Sequence, residues 1–148
     1  MLLLLACSAS PPDVQGFAAL HAAVYDAYAI GARPDPLHEQ LARSFSGQEL
    51  TERYVEWWHT LSEMEEAGTE VELIDVDHQQ VRALQGRIHA EWTVSAVVRH
   101  RSHEHTRTNR YAALFMVDQG RITDTRMQDM ERLNLEEQGE LLPLGELF

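Results

Sequence analysis

The sequence predicts an α+β domain in which three N-terminal helices pack on a curved four-stranded antiparallel sheet. Two observations carry that prediction. Up to Gly68 the apolar residues recur at helical spacing, and beyond it the pattern changes to strict alternation. Helices followed by an antiparallel meander make an α+β plan, because a helix with one apolar stripe and a sheet with one apolar face bury each other.

The first helix starts at "SASPPD", where Ser10 is a cap, Pro11 the first helical residue and Asp13 an acid in the first turn. Phe17, Leu20, Val24 and Tyr28 form its stripe, and Gly31 stops it. Pro34 and Pro36 restart the chain in a short second helix with Leu37, Leu41 and Phe45 on one side, ending at Ser46-Gly47. In the third helix Ser46 and Glu49 have capping-box spacing, and Leu50, Tyr54, Trp57, Leu61 and Met64 share a face before Gly68. Trp57 lies on that stripe and Trp58 beside it, which favours core packing over an aromatic ligand box. The strands read "TEVELIDVDHQQV", "RIHAEWTVSAVVRH", "HEHTRTNRYAALFMV" and "RITDTRMQDMERL", with Asp118-Gln119-Gly120 turning between the last two. Met127 and Met130 are expected in the core, and "EMEEAGTEVE" as a solvated helix end and turn.

The 148 residues suit one domain, with enough apolar content (44%) for a core. A formal charge of −12 argues against nucleic acid and against an anionic membrane surface as the main partner. All twelve basic residues are Arg, and a single Cys excludes a disulfide framework. That Cys closes "MLLLLAC", which resembles a bacterial lipobox although no basic residue precedes its short apolar run. The resulting division is a signal segment 1–7 ending at a lipidated Cys7, a tether 8–12, a single domain 13–134 and a tail 135–148. The resemblance implies a lipoprotein on the periplasmic side of the cell envelope, attached to the membrane through Cys7. The tail, "EEQGELLPLGELF" at its core, is acidic and apolar by turns.

The middle strands can be registered. A two-residue turn at Arg101-Ser102 sets His100 opposite His103, Val98 opposite His105, Ala96 opposite Arg107, Val94 opposite Asn109 and Trp92 opposite Tyr111. All of these then share one face with Ala113 and Phe115, which grades from apolar at one end to polar at the other. Glu91, Thr93, Ser95, Arg99, Glu104, Thr106, Thr108 and Arg110 occupy the solvent face.

"LARSFSGQEL", the Trp-bearing strand, "HRSHEHTRTNRYAAL" and the strand ending "MERL" together resemble an uncharacterised bacterial extracytoplasmic domain. Its signature is His-Trp-Gly-His-x-His-x-Arg-x-Asn-x-Tyr. The resemblance spans Tyr25 to Leu133 and implies an extracytoplasmic location, with no established activity to carry over. Arg101-Ser102 stands where the signature has Trp-Gly, and a lipobox replaces the membrane spans found beside that domain. By analogy the shape is similar to the cone of nuclear transport factor 2 and ketosteroid isomerase, or to the cystatin wrap, and such folds can dimerise through the outer sheet face.

Four chemistries fit the inward cluster. His105, Arg107, Asn109 and Tyr111 can form a buried polar network, with Tyr28 or Tyr54 as hydroxyl partners and Glu63, Asp26 or Glu39 as the carboxylate for Arg107. The same four can floor a small-ligand or partner-protein site in which Arg107 pairs an acidic group. His100, His103 and His105, joined by His89 or His78, have the makings of a zinc or copper site. His105 with Asp124 or Asp26 can be an acid–base pair of the ketosteroid isomerase type, but no nucleophile elbow, phosphate loop or HExxH motif accompanies it. The expectation is a binding or assembly module without catalytic activity and without an obligatory cofactor.

Overall fold

In the computed structural model the chain is described over residues 14–133. The lipobox with Cys7, the tether, the cap at Ser10 and the tail lie outside them. Three helical segments precede an open, curled antiparallel sheet, as the sequence predicts. The first segment comprises α1 (Val14–Ala22), a 3₁₀ turn (Ala23–Asp26) and α2 (Ala27–Ile30), and it ends at Gly31 with φ of 75°. Then come α3 (Pro34–Ala42) and α4 (Gly47–Ala67). The strands β1 (Glu70–Leu84), β2 (Arg87–Arg99), β3 (Glu104–Asp118) and β4 (Arg121–Arg132) pair in sequence order.

The turns explain that simple order. Gln85-Gly86 and Gln119-Gly120 both have positive φ at both positions, the two-residue geometry that matches the twist of the flanking strands. At Arg101-Ser102 the His100 N–H donates to the His103 carbonyl at 2.8 Å, so this connection is also two residues long. The β2–β3 register then follows the sequence expectation pair by pair, from Ile88 opposite Phe115 to Val98 opposite His105. The outer face carries cross-strand polar pairs such as Ser95 with Thr108 and Arg110 with Glu131.

Some local expectations need correction. Phe45 is buried but lies beyond α3, in a short parallel bridge with Ile122 that ties the α3–α4 connection to β4. The Ser46 hydroxyl makes no capping bond; Glu49 turns inward beside Arg53 instead of closing a capping box. Met127 and Met130 are 38% and 50% exposed, because burial along the edge strand β4 stops after Ile122.

Core packing is dense and aromatic. Trp57, Trp92, Tyr25, Tyr111, Phe17 and Phe115 are all fully buried, and Ala90, Ala96 and Ala113 on the inner sheet face leave room for them. The Trp92 indole stacks on Tyr111 and donates to the Tyr25 hydroxyl at 3.0 Å. His21, on the same helical stripe as Phe17, hydrogen-bonds His78 of β1 ring to ring at 2.9 Å.

Burial, reinforced by the neighbouring His78, holds His21 well below the ordinary imidazole range, and burial also lowers His78. Below about pH 6.5 the unfolded chain therefore takes protons that the native state refuses, and stability falls as pH falls through that range. A urea midpoint measured at pH 6.0 should lie below that at pH 7.5, and His21→Gln should flatten this slope even where it lowers both midpoints. An unchanged slope in the variant would refute the assignment.

Candidate functional site

The alternation of β3 gives one column of inward side chains whose cover deepens along the strand. His103 is exposed, His105 half-buried, and Arg107, Asn109, Tyr111, Ala113 and Phe115 are buried. The sequence-predicted cluster is thus brought together, but as two sites of different character.

The deeper part is a polar segment of the core. Arg107 is only 2% exposed. Asn109 donates its amide N–H to the Tyr111 hydroxyl at 3.1 Å. Burial pushes the Tyr111 phenol up to about 12 against the opposing pull of the Asn109 bond and the Arg107 cation. Tyr28 is likewise raised by burial, and Arg107 acts on it in the opposite sense. Arg107 is therefore set among phenol dipoles of the core. The three carboxylates the sequence offered are elsewhere: Glu63 is exposed and pairs with His59, while Asp26 and Glu39 are at the surface. Tyr54 packs on His38 and Trp58, away from this column.

The shallow part is the hairpin tip. His100 directly follows β2, His103 directly precedes β3 and His105 is its second residue, so three imidazoles converge over the turn. One ligand atom from each lies within 4.8 Å of the other two. Ring centroids are separated by 4.6 Å for His100 and His103, 5.2 Å for His100 and His105, and 5.8 Å for His103 and His105. Two hydroxyls contact the set from outside: Thr69 Oγ1 is 3.4 Å from His100 Nδ1, and Ser102 Oγ is 3.2 Å from His103 Nδ1.

His89 and His78 do not join them. His89 is eleven residues down β2 from His100, about 35 Å along the strand, and its odd position puts it on the outer face. His78 is engaged with His21. Asp124 pairs with Met116 across the far end of the sheet and with Arg87, so it does not reach His105; Asp26 is an exposed residue of the helical layer.

Sequence reading missed Thr69 and the His21–His78 pair. Thr69 carries no motif, since its value comes from where the α4–β1 turn meets the hairpin. His21 did give a signal: it lies four residues after Phe17 and four before Tyr25, inside the buried stripe.

Removing Arg107 should act on stability, because its side chain fills the core. Arg107→Ala is expected to cost about 3 kcal/mol through the cavity it leaves, and Arg107→Met to recover part of it by filling the volume. Denaturant midpoints for the two variants give the check; an Arg107→Ala midpoint equal to wild type contradicts the core role.

No family model matches the chain, and no curated protein matches it in sequence. Among solved structures, the intermembrane space region of the chloroplast protein ARC6 is similar at 18% identity and a TM-score of 0.45, covering 78% of this chain and 95% of that one. A de novo designed β-sheet protein is similar at 18% identity and a TM-score of 0.48, covering 84% and 94%. Likenesses at this level carry no argument about activity, so function has to be argued from the chain's own residues.

Proposed function

We propose that the chain is a non-catalytic, extracytoplasmic binding module that holds a transition-metal ion, zinc or copper, on His100, His103 and His105. The observation that carries this reading is the convergence of three imidazole donors within 4.8 Å of one another on a single hairpin. Zinc–nitrogen bonds of about 2.0 Å in a tetrahedral shell put neighbouring donors about 3.3 Å apart. Two of the donors are on exposed or strand-end positions, where a side-chain rotation closes the difference. Imidazole is the ligand type that zinc and copper share, and a set of three leaves one position of a tetrahedral shell open.

The outer contacts support the same assignment. A metal-ligating imidazole is normally oriented by a hydrogen bond at its other ring nitrogen. The Thr69 and Ser102 hydroxyls take Nδ1 of His100 and His103, which leaves Nε2 of each for the metal. Below them, the buried Arg107–Asn109–Tyr111 segment fixes the base of β3 and hence the direction in which His105 projects.

The location rests on sequence. The "MLLLLAC" run supplies a lipidation site at Cys7, and no helix among the described residues is long and apolar enough to cross a membrane. Anchoring through Cys7 is the reading in keeping with both. Cys7→Ser should then release the chain from the membrane fraction and abolish palmitate labelling.

Metal binding is tested by titrating zinc into the full chain and following heat, with thermal melting in parallel. One equivalent should bind and raise the melting temperature, since an ion at a hundred times its Kd stabilises by about 2.7 kcal/mol. His103→Ala/His105→Ala should lose both effects, and His38→Ala/His59→Ala should keep them. Unchanged binding in the first variant would remove the site.

A further inference from the structure

The sheet order leaves the outer edge of β1 without a strand partner among the described residues. Two clefts lie end to end there, of about 600 and 360 Å³, and they share Asp26 and Leu73 in their walls. Between them they are lined by every residue of β1 from Glu70 to Val76. Consecutive strand residues point to opposite faces, so a trench lined by all of them follows the edge of the strand and not one face. At roughly 3.3 Å per residue it is about 20 Å long. Those proportions suit an extended chain better than a compact molecule.

Its chemistry is two-toned. Tyr28, Leu61 and Met64 of the helical layer and the half-buried Val71 and Leu73 of β1 give an apolar floor. The exposed carboxylates of Asp26, Glu65, Glu70, Glu72 and Asp75 stand around it. Among the described residues Arg99 is the only basic one lining either cleft, and Glu72 and Glu104 hold its guanidinium at 2.6 and 2.9 Å. Edge strands usually guard themselves with Lys, and this chain contains none. A second copy would bring the same carboxylates to the edge and be repelled. The pairing of β1 with β2 slips at Ile74, between Leu73 and Asp75, and such a bulge ends regular strand addition.

We infer that this trench docks an extended segment of a partner polypeptide, in which apolar residues alternate with Lys or Arg. The segment adds as a strand beside Glu70–Leu73. Its apolar side chains go down onto the floor and its basic ones out to the carboxylates. This interaction surface is separate from the imidazole site and does not depend on it.

The test is fluorescence anisotropy of a labelled Lys-Leu-Lys-Leu-Lys-Leu peptide titrated with the full chain. Saturable binding is expected. Glu65→Gln/Glu70→Gln should weaken it at least tenfold, while Glu52→Gln/Glu131→Gln, which changes net charge equally away from the trench, should weaken it less than twofold. A peptide N-methylated at alternate residues should bind at least tenfold more weakly. No binding by the wild-type chain, equal loss in the two charge variants, or full binding of the N-methylated peptide each overturns the proposal.

Discussion

Everything distinctive about this molecule depends on the register of β2 against β3. The side-chain period of a strand is two, so a slip of one residue would exchange its faces completely. Arg107, Asn109 and Tyr111 would go to water, and Thr106, Thr108 and Arg110 would enter the core. The two-residue connection at Arg101-Ser102, closed by the His100–His103 backbone bond, fixes the frame at one end. Ala90 opposite Ala113 and Trp92 opposite Tyr111 fix it in the middle, because the small pair and the stacked aromatic pair each fit the helical layer only on the inner side. With the frame set, the inner column of β3 passes without interruption from apolar core to buried polar groups to a cluster of imidazoles.

This column was legible in the sequence because alternation persists over fifteen residues and both strands report the same parity. The long α4 was legible for a similar reason, since Trp57, Leu61 and Met64 repeat one face over several turns and Gly68 ends it in the left-handed region. What failed was set by distant neighbours. Phe45 has the spacing of a helical stripe, but the start of β4 captures it in a bridge that no local pattern encodes. Glu49 has the spacing of a capping residue and is drawn inward beside Arg53. Met127 and Met130 look like core residues and are exposed, because the extent of the helical cover is a tertiary quantity. The trench along β1 was invisible for the same reason: its floor comes from α2, α4 and β1, and each contribution reads locally as ordinary amphipathic structure.

A buried guanidinium asks for an explanation, because a charge in a low-dielectric interior is costly unless polar groups surround it. Here it lies near the phenols of Tyr28 and Tyr111, and Asn109 donates to the Tyr111 hydroxyl beside it. The cation in turn opposes the effect of burial on the pKa of both phenols. Polar groups held in one arrangement specify geometry more narrowly than aliphatic packing does. The consequence falls on His105, two residues further along the strand, whose backbone is carried by a fixed base even though its ring is half-exposed.

The α4–β1 turn joins the two proposed sites. Gly68 adopts φ of 68°, the left-handed region that glycine enters without strain, and a Cβ there would come within 2.7 Å of the Arg101 side chain, which would have to shift. The next residue, Thr69, touches His100 and also lines the trench. The end of the molecule that gathers imidazoles thus abuts the end that gathers carboxylates, with Arg99 clamped between Glu72 and Glu104 at the boundary. Two cation-seeking surfaces side by side would compete if both took metal. They need not, because imidazoles bind through directed nitrogen lone pairs at close range, whereas carboxylates spread along a 20 Å edge, a length that follows from about 3.3 Å per residue, match a row of basic side chains. The division of labour follows from donor geometry.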